Sequence, residues 1–173
     1  MSQEREFISL NLALMTISDT RSEADDKSGA TLRRLTTEAG HQVHEQCIVR
    51  DDIYQIRAVV SRWIADPEVH AVITTGGTGL TGRDGTPEAV APLLDKLIDG
   101  FGEMFRILSY DLIGTSTIQS RTLAGVANGT FVFCLPGSSG ACKDGWNKLI
   151  SHQLDYRTRP CNLVELMPRL LET

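Results

Sequence analysis

The sequence predicts an α/β protein: a single-domain, three-layer sandwich with a mostly parallel (mixed) sheet between two layers of helices. Strand-like apolar runs alternate with amphipathic helical stretches over roughly the first hundred residues, the order that right-handed β-α-β units impose. The first run, Leu12-Ala13-Leu14-Met15-Thr16-Ile17, is apolar nearly throughout, as a strand covered on both faces should be. Further on, Asn128-Gly129 between two apolar runs signals a two-residue hairpin, and so an antiparallel strand added to the parallel set. The domain is expected over residues 10–165, with 1–9 and 166–173 as terminal extensions.

Ser18-Asp19 ends the first strand, and an irregular polar stretch follows to Ser28-Gly29. Leu32, Leu35 and Ala39 recur at helical spacing and stop at Gly40. Residues 43–49 read as the second strand. Asp51-Asp52 can cap the next helix, which carries Ile53, Ile56, Val59, Val60, Trp63 and Ile64, with Pro67 beyond its end. Val72-Ile73-Thr74 is a short third strand running into a glycine-rich loop. Thr86 as N-cap, Pro87 at the first helical position and Glu88 in the first turn open a helix expected to reach Leu97. It should break at Gly100-Phe101-Gly102, with short helices between Glu103 and Arg121. The hairpin strands are expected at 122–127 and 130–135. Pro136-Gly137-Ser138-Ser139-Gly140 is a second tight loop, opening a helix from about Ala141 to Leu154.

Bulk properties narrow the function. The 173 residues suffice to bury a core without covalent staples. The polar, acidic amino terminus does not read as a signal peptide. No apolar run approaches the roughly 20 residues that cross a bilayer. A cytoplasmic protein with no membrane partner is therefore expected. Cys47, Cys134, Cys142 and Cys161 form no CxxC pair and read as reduced structural thiols. A net charge of −5 argues against a nucleic-acid partner, because neutralising phosphates needs a basic face. His41, His44, His70 and His152 show no metal-ligand spacing.

Open parallel sheets bind ligands beyond the carboxyl ends of their strands, and four features fall there together. These are Ser18-Asp19, Asp51-Asp52, the loop Thr74-Thr75-Gly76-Gly77-Thr78-Gly79, and the loop around Gly137. Glycines let backbone N–H groups approach an anion, and the threonines add hydroxyl donors. The letters Gly77-Thr78-Gly79-Leu80-Thr81-Gly82 match the dinucleotide fingerprint GxGxxG. That motif needs a helix beginning inside the glycines, whereas the helix signal here is Thr86-Pro87. A Walker A lysine is absent too. Asp84 is free to face a ligand if Thr86 caps the helix, and a carboxylate near phosphates usually shares Mg²⁺ with them. Asp51 is either a second oxygen ligand or a helix cap, a task Asp52 can perform instead. Ser138 is either a cap or an anion contact at a helix start. Ser116, in the hydroxyl-rich run 114–121 that ends in Arg121, can touch a polar ligand or simply be solvated.

The stretch from Ala71 to Asp84, followed by Thr86-Pro87-Glu88-Ala89, resembles the signature of the MoaB/MogA family of molybdenum-cofactor biosynthesis proteins. Gly100-Phe101-Gly102-Glu103-Met104-Phe105-Arg106 and Leu135-Pro136-Gly137-Ser138 match in the expected order, and the likeness runs from Leu12 to about Asn162. The runs 114–121, 123–128 and 153–162 are most similar to the bacterial MoaB branch. The resemblance implies a molybdopterin-binding fold assembled as trimers or dimers of trimers. It further implies molybdopterin and ATP or GTP as ligands, with Mg²⁺ if the protein is catalytic. MogA-like members adenylylate molybdopterin, and their functional aspartates correspond to Asp51 and Asp84, which implies catalytic and Mg²⁺-holding roles for both. With that ligand class, the loops converging at the strand ends make Ser18, Asp19, Thr75, Gly76, Gly77, Thr78, Gly79, Ser116, Pro136, Gly137 and Ser138 the expected pterin- and nucleotide-binding residues. Gly85 stands where the family commonly has a larger apolar residue, a departure expected to loosen the loop carrying Asp84. Two functions stay open: a molybdopterin adenylyltransferase, and a non-catalytic pterin- or nucleotide-binding protein of the same pathway.

Overall fold

The structure is a computed structural model that describes residues 5–173; residues 1–4 of the expected amino-terminal extension lie outside it. Strand β1 (Asn11–Ile17) is buried at every position after its first residue. Its side chains alternate across the sheet, as the two-residue strand period requires. Leu12 and Leu14 join Leu32, Ile73, Phe131, Phe133, Trp146 and Ile150 on one face. Ala13, Met15 and Ile17 join Ile56, Val60, Trp63, Val72 and Val132 on the other. Two apolar faces require two helical covers. One is formed by α1 (Lys27–Glu38), α4 (Asp99–Ile113) and α5 (Ser139–Gly145), the other by α2 (Ile53–Ala65) and α3 (Thr86–Val90).

The six strands lie in the order β2-β1-β3-β6-β5-β4, with β2 (Gln42–Val49), β3 (Ala71–Thr75), β4 (Lys96–Leu97), β5 (Leu123–Ala127) and β6 (Thr130–Leu135). Strands β2, β1, β3 and β6 are parallel, while β5 and β4 each run antiparallel to their neighbours. The mixed sheet agrees with the sequence expectation. Asn128 (φ 48°) and Gly129 (φ 80°) make the hairpin between β5 and β6.

Four local expectations are corrected. The helix opened by Thr86 does not reach Leu97: α3 ends at Val90, a 3-10 turn follows over Ala91–Leu93, and Leu94 is extended. Pro92 lies in that turn and has no N–H to continue the helix, so the chain leaves to form edge strand β4 against Val126 and Gly125. Gly100-Phe101-Gly102 does not break a helix either, because α4 runs through all three as one 15-residue helix. Gly102 serves close packing there: a Cβ on it would sit 2.9 Å from the Thr122 carbonyl oxygen. The segment after α4 is a 3-10 helix (Gly114–Gln119) rather than a set of short α-helices. Finally, Thr86 is the first residue of α3 and Gly85 its N-cap; the Thr86 hydroxyl instead donates to the Gly76 carbonyl (2.8 Å).

Helix α5 continues through a π turn (Trp146–Ile150) into α6 (Ser151–Gln153). The described parts of both expected extensions pack back on the domain. Arg5 pairs with Glu165, Phe7 lies 5.0 Å from the His41 ring, and Met167 and Leu170 pack against the core.

Candidate functional site

Parallel strands β2, β1, β3 and β6 end on the same edge of the sheet. The chain goes from β1 outward to β2, then crosses back to β3 on the far side of β1, so a topological switch point lies at that edge. A cleft of about 720 Å³ opens there. Ser18 and Arg21 after β1, Asp51 after β2, Gly76 to Gly79 and Asp84 after β3, and Pro136 to Ser138 after β6 line it. Phe105, Ser109, Leu112 and Ile113 of α4, with Ser116 and Thr117 of the 3-10 segment, form the facing wall.

The floor is the glycine loop. Gly76 (φ 107°) and Gly77 (φ 66°) occupy left-handed backbone, which side chains disfavour. A Cβ on Gly77 would lie 2.3 Å from the Thr86 hydroxyl and 3.0 Å from Asp51 Oδ2, so the glycine makes room for a carboxylate. The loop is anchored at both ends: Gly76 N–H donates to Leu135 O (3.0 Å), and Thr86 N–H to Gly77 O (3.0 Å). Helix α3 begins only at Thr86, so the GxGxxG letters have no dinucleotide geometry. Thr78 and Gly79 line the cleft. Thr75 does not, which corrects its expected ligand contact. It is fully buried, donates its hydroxyl to Pro136 O (2.8 Å) and ties β3 to the second loop.

Asp52 caps α2, accepting from Tyr54 N (3.0 Å) and Gln55 N (2.9 Å), and this leaves Asp51 for the cleft. Asp51 Oδ1 accepts from Gly85 N (3.2 Å). Burial holds the Asp51 carboxyl above the ordinary carboxylate range; the Gly85 N–H opposes this, and the Asp84 and Asp19 charges add to it. Asp84 Oδ2 accepts from Thr81 N (2.9 Å) and Thr81 Oγ1 (2.6 Å), and the Thr81 hydroxyl above all holds Asp84 below that range. The two carboxylates flank one loop and repel each other, an arrangement that a cation relieves.

Ser18 lines the cleft, and its hydroxyl accepts from Arg21 N (3.2 Å). Asp19 stands at the rim rather than in the lining; it pairs with Arg83 and accepts from Asp51 N (3.3 Å). Ser116, Pro136, Gly137 and Ser138 all line the cleft, while the Ser138 hydroxyl also caps α5 by accepting from Ala141 N (3.1 Å). Arg121 does not serve as the cation of its hydroxyl-rich run: it bonds to Gly79 O (2.8 Å) and Asp84 O (2.8 Å) and pairs with Glu88. Gly85 does not leave the loop slack either, since those bonds and Thr81 hold it.

Two groups of lining residues had no clear signal in the sequence. Arg21 sits in an aperiodic polar stretch, and its guanidinium is positioned by Gly137 O (3.1 Å), Ser28 Oγ (3.0 Å) and the Asp26 carboxylate (3.6 Å). The wall of Phe105, Ser109, Leu112 and Ile113 has readable helical spacing, but only once α4 is seen to run unbroken past Gly102.

A sheet of this order, with a glycine-rich loop and two carboxylates beside a cleft at its switch point, defines an α/β domain of the doubly covered, mostly parallel class. Residues 13–156 match a family model described as "Probable molybdopterin binding domain". The chain belongs to this family, the MoaB/MogA molybdenum-cofactor biosynthesis proteins. It is 54% identical over 163 residues to molybdenum cofactor biosynthesis protein B of Escherichia coli K12, covering 94% of this chain and 96% of that one. A crystal structure of a molybdenum cofactor biosynthesis protein B superposes with a TM-score of 0.84 at 46% identity, over 87% of this chain and 94% of that one. The tungsten cofactor synthesizing protein MoaB from Pyrococcus furiosus superposes with a TM-score of 0.76 at 35% identity, over 83% and 92% of the two chains.

Proposed function

We propose that the cleft binds molybdopterin and a nucleotide together and adenylylates the pterin's terminal phosphate. The observation that carries this reading is the pair Asp51 and Asp84 held against Gly77 and Gly79 at the sheet's switch point. The pterin phosphate oxygen attacks the α-phosphorus of ATP (or GTP), the α–β bond breaks, and pyrophosphate leaves. Because phosphoryl-type transfer asks mainly for alignment, the chain's task is to place two phosphates in line. The glycine loop lets backbone approach one phosphate, and Arg21, whose guanidinium lies 3.6 Å from Asp26, shares the cleft lining with Ser18 and Ser138. Phe105, Leu112 and Ile113 offer an apolar wall for a flat ring.

Mg²⁺ suits the donor set. Among the described residues no three His, Cys, Asp or Glu side chains gather into a metal cage. Two carboxylates fit an ion that keeps several waters and takes its other ligands from substrate phosphates. Asp51 and Asp84 would hold it, and it would offset the negative charge of the phosphates.

Two further elements belong to this proposal. Met104, Ile107, Tyr110, Ile113 and Ile118 are exposed along α4 and the 3-10 segment, which supports self-association as a trimer or a dimer of trimers. Four free cysteines, and the absence among the described residues of a helix long and apolar enough to cross a membrane, support a cytoplasmic protein.

The test is incubation of the purified protein with molybdopterin, ATP and Mg²⁺. Adenylylated pterin and pyrophosphate are expected in equal amounts. Retained pterin with no product, where a known transferase turns over, would instead make the protein a non-catalytic carrier.

A further inference from the structure

Arg121 lies where the 3-10 segment meets β5, behind the glycine loop rather than in the cleft lining. Its backbone N–H donates to Thr78 O (3.0 Å). Its side chain donates from Nε to Gly79 O (2.8 Å) and from Nη2 to Asp84 O (2.8 Å), while Nη1 pairs with Glu88. One residue thus holds the carbonyls at both ends of the 79–84 loop.

The Asp84–Gly85 peptide makes this grip consequential. In a trans peptide the C=O and N–H point in opposite directions. Here the oxygen is bound by Arg121 and the N–H donates to Asp51 Oδ1 (3.2 Å). Guanidinium, peptide and carboxylate form a chain in which a charged donor on the carbonyl strengthens the N–H as a donor. The Asp84 carboxylate belongs to the same loop, fixed by Thr81 and adjacent to Gly79.

We infer that Arg121 is a positioning residue for the Asp51–Asp84 pair: it sets the loop that carries Asp84 and aims the Gly85 N–H at Asp51. The role assigned to the pair rests on the proposed function; the geometric coupling does not. Lysine cannot reproduce it, because a single ammonium lacks the planar fork that spans two carbonyls and a carboxylate.

The experiment uses the full chain as wild type, Arg121→Ala, Arg121→Lys and Glu88→Gln. Amide hydrogen exchange is read by mass spectrometry across residues 79–86, and retention of Mn²⁺ with ATP by electron paramagnetic resonance. In Arg121→Ala, exchange across 79–86 should rise and Mn²⁺·ATP retention fall, each by about tenfold, the scale of losing charged hydrogen bonds. Exchange in β1 and β3 should stay as in wild type, and added methylguanidinium should restore both readouts. Lysine should rescue at most partly, and Glu88→Gln should fall between. Should Arg121→Ala not fold, the lysine and Glu88→Gln variants carry the same comparison. Unchanged exchange across 79–86, or faster exchange with Mn²⁺·ATP retention still within about twofold of wild type, would overturn the inference. If wild type itself retains no Mn²⁺·ATP, the proposed function fails, and the exchange arm alone decides the coupling.

Discussion

Asp51 and Asp52 are neighbours with opposite fates: one accepts from the first turn of α2, the other turns to the cleft. Two adjacent aspartates before a helix announce that division, because a cap needs only one of them. Arg121 could not be resolved in this way. Its partners lie 42, 37 and 33 residues away, so nothing local distinguishes a ligand cation from a loop brace. Away from the cleft, Glu45 accepts two bonds from Arg62 (2.7 Å each) and one from Trp63 Nε1 (2.8 Å). Arg62 first and Trp63 second hold its carboxyl down from 4.5 to about 2. A depressed carboxylate stabilises the fold above the unfolded-state value, and that stability is lost as pH falls from about 4.5 towards about 2. The group is partly exposed, so screening limits the effect. Urea titrations should show Glu45→Gln less stable than wild type by about 1 kcal/mol near neutrality. The gap should close in strong acid; a gap that persists there would mean packing, not charge, is responsible.

At the scale of elements, the parallel strands and the first two helices were legible because each carries its own period and its own stop signal. Helix α4 was not. Its glycines resemble a break, but Gly102 answers to the Thr122 backbone just before β5, which no local window contains. The entrance to β1 shows a similar long-range dependence. Leu10 N–H donates to His41 Nδ1 (3.1 Å), and Asn11 N–H to His70 Nδ1 (2.9 Å). Burial pushes both imidazoles below the ordinary value of 6.5. A ring nitrogen that accepts an N–H cannot also take a proton, so between the two values the unfolded chain binds more protons than the folded one. Stability is therefore full above 6.5 and falls as the solution is acidified below it. The double variant His41→Gln with His70→Gln should flatten the stability–pH slope between about pH 7 and about pH 5. An unchanged slope would assign it to other groups.

For the whole molecule, the convergence of four loops at one sheet edge was readable, since parallel strands put their carboxyl ends together whatever the loops contain. The apolar wall facing those loops was hidden with α4, and with it the face that extends outward through Ile107, Tyr110 and Ile118. If this face joins copies of the chain, Ile107→Glu should reduce the mass measured by light scattering from an oligomer to a monomer. A wild-type monomer at micromolar concentration would contradict self-association. In the proposed function the Asp51–Asp84 pair works on phosphates that the rest of the cleft binds. Its most direct test measures molybdopterin affinity and adenylyl transfer for wild type beside Asp84→Asn, which keeps shape and removes charge. Pterin affinity should stay within a few-fold of wild type while transfer falls by about a hundredfold or more. Transfer at the wild-type rate in Asp84→Asn would contradict it.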